Sequence, residues 1–236
     1  MTASKMKYII VGGVAGGATA AARIRRLTED AEIVLFEKGE HISYANCGLP
    51  YYIGGVIEDR DRLFVQTPEA FGKRFNIDVR ILSEVTAIDA EAKQVTVHTA
   101  DGKEYVESYD KLLLSPGASP VVPPLEGIDS KGIFTLRNVS DTDRIKAYMA
   151  EHKVKRAVIV GGGFIGLEMA ENLKHAGAQV AVVEMGISHF GEMEQLGKIV
   201  RPTDMVYTVI GHSHLEALHD RNGVLKAKTE HLHYMP

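Results

Sequence analysis

The sequence predicts an α/β fold made of two Rossmann-like dinucleotide-binding units with an antiparallel β-meander, truncated soon after the second unit begins. Three observations lead there. An apolar run near the N-terminus passes through a glycine turn into an alanine-rich helix, and the same order returns in the second half of the chain. Between them the pattern switches to two-residue alternation.

In "KYIIVGGVAGGATAAARIRRL" the β-branched run Tyr8 to Val11 reads as a buried strand, and the alanines beyond the glycines read as a helix. Gly12 permits the tight turn and Gly17 permits close packing of helix on strand. The intervening Gly13, Val14, Ala15 and Gly16 bring the helix N-terminus toward a pyrophosphate. Val14 stands where the dinucleotide fingerprint has its middle glycine. "AEIVLFEKG" is a second strand ending in Glu37, a carboxylate suited to ribose hydroxyls, followed by Lys38. From Ile77 to Leu114 the chain alternates ("EVTAID", "QVTVHT") and turns at Asp101 and Gly102, the pattern of a short antiparallel meander. "YDKLLLSPGASPVVPP" supplies a buried strand, Leu112 to Leu114, stopped by Ser115, Pro116 and Gly117, and then a proline linker. "KRAVIVGGGFIGLEMAENLKHAGAQVAVVEMG" repeats the cycle with Gly161, Gly163 and Gly166 in the full fingerprint and Glu184 at the end of its second strand. The expected division is a first nucleotide domain over 1–145, the beginning of a second over 146–186, and an unassigned tail over 187–236.

Composition limits the function classes. Of 236 residues, 45% are apolar and 25% charged, the balance of a folded soluble domain. A net charge of −4 gives no basic field for nucleic acid or an anionic membrane. No run approaches the roughly 18 apolar residues of a membrane span, and the N-terminus lacks the long apolar region of a signal peptide. One cysteine, Cys47, excludes an internal disulfide framework, so the cytoplasm is the expected compartment.

Cys47 lies in "HISYANCGLPYYIGG", ahead of a segment that can begin a helix with Pro50 in its first turn. There the thiol would meet the positive end of the helix dipole, which favours thiolate. A buried, inert cysteine is the alternative, and the glycine and proline flanks argue for a turn. On the first helix, Thr19, Arg23 and Arg26 fall at i, i+4 and i+7 and share a face. They suit an anionic phosphate; from spacing alone they suit a solvated charged face equally well.

The Ser43-x-x-x-Cys47-Gly48 pattern, the doubled fingerprint, "YDKLLLSPGA" and "TLRN" resemble the FAD-dependent pyridine nucleotide-disulfide oxidoreductases. "SYANCGLPYYIGG" most resembles the coenzyme A-disulfide reductases with their persulfide-reductase and NADH-oxidase relatives, and the likeness covers residues 6–186. It implies FAD at Gly12, Gly13, Val14, Ala15, Gly16, Gly17, Glu37 and Lys38, joined by Ser115 and Gly117. Cys47 would lie against the flavin as the redox nucleophile, with Ser43 and Asn46 beside it. Thr19, Arg23 and Arg26 match positions associated with the coenzyme A nucleotide. Gly161, Gly163, Ile165, Gly166 and Glu184 would hold NADH, with NADPH as the alternative; Phe164 would shield the flavin and Glu168 lie near the nicotinamide. The implied partner is a small-molecule disulfide such as coenzyme A disulfide, reduced with one protein cysteine because the other sulfur belongs to the substrate. An oxidase or peroxidase cycling Cys47 through sulfenic acid is the other activity the resemblance allows. The resemblance implies a homodimer, an expectation that rests on the family's dimerisation domain.

After "VEMG" that pattern stops. The expected return segment, with its Gly-Asp turn, and the dimerisation domain with its tyrosine pair are not recognisable from Ile187 to Pro236, which reads as a fused, recombined or frame-shifted end. A truncated, non-catalytic remnant is therefore the competing expectation. His189, His212, His214, His219, His231 and His233 crowd this tail, and "DMVYTVIGHSH" resembles the last metal-binding motif of metallophosphoesterases. The upstream motifs of that family are missing, and no metal is assigned.

Overall fold

The computed structural model describes residues 5–120, 127–183, 190–191, 194, 206–207 and 219–230. By its contacts the chain separates into two compact units, Met1–Ala45 with Asp61–Ala118, and Asn46–Arg60 with Ser119–Pro236.

In the first unit, β1 (Lys7–Val11), β2 (Glu32–Phe36), β3 (Asp78–Arg80) and β7 (Lys111–Leu114) form a parallel sheet in the order β3-β2-β1-β7. Val11 is paired with both Phe36 and Leu114, so three strands end at one level. Gly12, Glu37 and Ser115 therefore leave the sheet along the same edge, the carboxyl edge at which open parallel sheets bind ligands. Successive residues face opposite sides. Ile10, Ile33 and Leu35 pack with Ala18 and Ala21 of α1 (Gly16–Leu27) and Phe71 of α3 (Pro68–Phe75). Ile9, Val34 and Phe36 pack with Val95 and Val97 of the meander β4 (Ser83–Asp89), β5 (Gln94–Thr99) and β6 (Glu104–Ser108). Burial on both faces explains why β1 and β2 are uninterrupted apolar runs, whereas β7, expected to be buried from Leu112 to Leu114, is half-buried at Leu112 and Leu113 and exposed at Leu114.

The meander is narrower than the alternation suggested. Asp78–Arg80 joins the parallel sheet beside β2, because Ile77, Val79 and Ile81 pack into the same cluster as Phe71. Charged groups brace this corner. Lys7 Nζ meets Glu107 at 2.6 Å and Glu32 at 2.7 Å, while Arg80 meets Glu107 at 2.6 Å. Burial pulls the Glu107 carboxyl upward, but hydrogen bonds from Lys7 and Arg80 outweigh it and leave its pKa below the ordinary value.

The second unit holds β8 (Arg156–Val160), β9 (Gln179–Val183) and β10 (Val206–Tyr207), parallel in the order β10-β8-β9. Around them lie a 3-10 turn (Asn46–Gly48), α2 (Leu49–Ile53), α4 (Val139–His152), α5 (Phe164–His175) and α6 (Arg221–Thr229). Ile53, Ile145, Ile159, Met169 and Leu173 form one core cluster, which is why α4 groups with residues beyond position 145 and the contact division falls after Ala118. The tail contributes β10 and α6, with Val224 and Ala227 buried. Among the described residues no helix is long and apolar enough to cross a membrane.

Candidate functional site

The first glycine loop is shaped by close backbone approaches. Gly12 has φ +96°, and a Cβ there would stand 2.0 Å from the Ser115 carbonyl oxygen. A Cβ on Gly17 would stand 1.7 Å from the Gly12 carbonyl oxygen, so α1 crosses β1 at a distance no side chain permits. The loop is tied down by Gly12 N donating to Phe36 O at 2.8 Å and Ser115 N donating to Val11 O at 2.7 Å. Glu37 accepts from Gly13 N at 2.7 Å and from Gly39 N at 2.8 Å, so its carboxylate pins the loop to the end of β2. Two carboxylate oxygens carry about four acceptor sites, which leaves capacity for a ribose hydroxyl. Ser43 N donates to Gly13 O at 2.9 Å, and Val14 is half-buried. Gly117 has φ +68°, and Lys38 is exposed.

The helix that follows is left open at its start. Ala15 provides no side-chain cap for α1, and its first turn holds no acidic residue. The same is true of α5, which starts after Gly163. By contrast α3, α4 and α6 are capped by Thr67, Asn138 and Asp220, each accepting from a backbone N–H. Among the described helices of eight residues or more, the two behind glycine fingerprints are those without a side-chain cap. Unclaimed N–H groups and an uncompensated dipole are what an anionic pyrophosphate needs, so each of the two loops fits the phosphates of a dinucleotide.

The second loop repeats the backbone rule. Gly161 has φ +108°, and a Cβ on Gly166 would stand 2.0 Å from Gly161 O. Around Gly163 nothing lies within 4 Å of a built Cβ. Phe164 is 88% exposed, Ile165 is exposed and Glu168 half-buried. Glu184 lies outside the described residues, as do His189, His212, His214, His231 and His233, so the Gly-His-x-His motif has no structural description.

Thr19, Arg23 and Arg26 are exposed on α1, with the Arg26 guanidinium 5.9 Å from the centroid of Phe75. Arg25, which the sequence reading did not single out, points elsewhere: it donates to Phe75 O at 2.8 Å and Asn76 O at 2.6 Å, joining the ends of α1 and α3. Ser43 belongs to the first unit, whereas Asn46 and Cys47 belong to the second. Cys47 is exposed in the 3-10 turn before α2, and Pro50 falls in the first turn of that helix. The helix is shorter than the thiol argument needs. Five residues make little more than one turn, so the aligned dipoles beside Cys47 are few.

The sequence profile described as pyridine nucleotide-disulphide oxidoreductase matches residues 6–201. The chain belongs to that family. Within it, the chain is 47% identical over 178 residues to a coenzyme A disulfide reductase of Staphylococcus haemolyticus, a match spanning 75% of this chain and 40% of that protein. The crystal structure of reduced Bacillus anthracis CoADR-RHD superposes with a TM-score of 0.75 at 48% identity, covering 89% of this chain and 40% of the other. A NAD-dependent persulfide reductase from A. fulgidus gives a TM-score of 0.72 at 36% identity, over 86% of this chain and 39% of the other. The chain thus spans about two fifths of the length of the family members it matches, and the family match runs past residue 186 into the segment where the sequence pattern was read as broken.

Proposed function

We propose that this chain carries the nucleotide-binding and thiol parts of an FAD-dependent, NADH-driven reductase of coenzyme A disulfide or a related small disulfide or persulfide. The observation that carries the reading is the pair of uncapped helices behind glycine loops, beside a chain with a single, exposed cysteine. Gly12, Gly13, Val14, Ala15, Gly16 and Gly17 would present backbone N–H groups to the FAD pyrophosphate. Glu37 would hold the ribose, and Ser115 and Gly117 close the loop. Gly161, Gly163 and Gly166 would do the same for NADH. Glu184 follows β9 directly, and a carboxylate there accepts from a 2′-hydroxyl but repels a 2′-phosphate, which favours NADH over NADPH. Thr19, Arg23 and Arg26 offer a hydroxyl and two guanidinium groups to the phosphates of a coenzyme A moiety.

Cys47 Sγ attacks one sulfur of the substrate disulfide, breaking its S–S bond, forming a mixed disulfide and releasing one thiolate. Restoring the Cys47 thiolate and releasing the second thiol takes two electrons, chemistry that FAD held at the first glycine loop would supply from NADH held at the second. One protein cysteine suffices because the second sulfur of each exchange is the substrate's. Ser43 and Asn46 flank the thiol in sequence and would contact the substrate.

The test is anaerobic. NADH is added to FAD-reconstituted protein, the flavin bands are followed, and coenzyme A disulfide is then supplied. The parent should bleach and then release coenzyme A thiol, whereas Cys47→Ser should bleach and release none. Equal thiol release by the serine variant would overturn the role of Cys47. NADH consumption that needs oxygen and ignores the disulfide would replace the reductase reading with the oxidase one.

A further inference from the structure

The described contacts of the Cys47 segment converge on two helices of its own unit. Ile53, at the end of α2, is 3% exposed and packs with Ile145 of α4 and Met169 and Leu173 of α5. One residue away on each helix, Lys146 Nζ donates to Tyr52 O at 2.8 Å and lies 3.5 Å from the centroid of the Tyr52 ring. Burial lowers the Lys146 pKa against the opposing pull of Asp143. Asp143 in turn receives Arg60 through Nε at 3.0 Å and Nη2 at 2.7 Å. On the other side Gly54 meets α5 so closely that a Cβ would stand 2.6 Å from Asn172 Cβ and 2.7 Å from Asn172 O. Asn172 is 1% exposed, and its Nδ2 donates to Glu168 O at 2.8 Å, so it has no room to retreat.

We propose that Lys146, Gly54 and Asn172 are positioning residues for Cys47: they seat α2 on α4 and α5 and thereby set the attitude of the turn that carries the thiol. The geometry is a three-sided seat. An apolar anchor alone would let a five-residue helix rock about Ile53. The Lys146 contact to the Tyr52 carbonyl and ring fixes it on one side, and the side-chain-free approach at Gly54 fixes it on the other. Asp143 with Arg60 ties the far end of the segment to α4 by a two-pronged contact. Because α5 starts at the second glycine loop, the helix that follows the thiol turn packs directly on the proposed NADH helix. The catalytic meaning of this seat rests on the proposed redox role of Cys47, but its structural claim does not.

A single cysteine makes the test direct. Alkylation of Cys47 by iodoacetamide is followed by mass spectrometry on the full chain without cofactor, and each rate is referred to that of the same protein unfolded in urea. Lys146→Met should shift the relative rate by about threefold or more, the size set by losing one hydrogen bond and a cation–π contact. Lys146→Arg, which keeps the charge, a donor and the ring contact, should return it toward the parent value. Gly54→Ala should shift it further; should that variant not fold, Asn172→Ala provides the second arm from the α5 side. Rates unchanged in folded Lys146→Met and Asn172→Ala, or an arginine variant no closer to the parent than the methionine one, would overturn the proposal. Failure of Cys47→Ser to affect disulfide reduction would instead overturn the redox role and leave the seat standing.

Discussion

The two glycine loops obey the same backbone rule and are furnished differently. In both, a glycine with positive φ leaves the strand (Gly12 at +96°, Gly161 at +108°), and a glycine five residues on lies against its carbonyl. A Cβ at Gly17 or Gly166 would approach that carbonyl oxygen to 1.7 or 2.0 Å. Around this shared skeleton the first loop is enclosed. Ser115 closes over Gly12 and Gly16, Ile42 and Leu35 press on Gly13, and Glu37 grips the loop from the end of β2. The second loop stands open at Gly163, with Phe164 projecting from it. The difference separates the glycines that the fold requires from the positions it leaves open. The strand-exit and helix-crossing glycines make a strand–helix unit possible, and the middle position is free to vary. Val14 can therefore replace glycine in the first loop without disturbing the crossing.

The largest expected effects come from breaking the shared part. Gly17→Ala and Gly166→Ala force a methyl into a backbone carbonyl, and each should destabilise its own unit by about 3 kcal/mol or more, beyond the usual range for overpacking. Urea unfolding followed by hydrogen exchange would show β1 and β2 losing protection in the first case and β8 and β9 in the second. Gly163→Ala adds its methyl to open space at a helix N-cap and should change stability by less than about 1 kcal/mol. If Gly163→Ala proved as damaging as Gly166→Ala, the separation of required from open positions would be lost.

A smaller effect should distinguish the units by pH. Glu107 joins Lys7 and Arg80 in the first unit, and its pKa is depressed. A depressed carboxyl adds stability that is present above its unfolded value and is lost as pH falls through its folded value. Acidification below the ordinary glutamate value of 4.5 should therefore loosen β3 and β6. Glu107→Gln should already lack that contribution at neutral pH and show a flatter acid response in hydrogen exchange at those strands. An unchanged acid profile would show that the network braces nothing.

Much of this was legible in the sequence because glycines at fixed offsets report backbone geometry directly. The strand ends at Glu37 and Ser115, the turn at Gly102 and the placement of Pro50 followed from local rules of the same kind. β3 was absorbed into the meander because three residues are too few to show a period. The packing of α4 with α5 and β8 was not visible, since it depends on distant contacts and not on any local composition. The seat of Cys47 left no trace either: Lys146 and Tyr52 are 94 positions apart, and nothing in "YYIGG" announces that its first glycine meets a buried asparagine on a distant helix. The resemblance to disulfide oxidoreductases supplied the family, while the contacts supplied the residues that seat α2.

The central claim is that the enclosed loop takes FAD and the open one takes NADH, each through its own unit. It is tested most directly by titrating FAD and NADH separately into the parent and Glu37→Ala, with affinity read by calorimetry or fluorescence. Losing the carboxylate that fixes Gly13 and Gly39 should weaken FAD by about tenfold or more, the scale of charge-assisted hydrogen bonds, and leave NADH within about twofold. NADH weakened as strongly as FAD, or FAD binding that ignores Glu37, would contradict the assignment of the two loops.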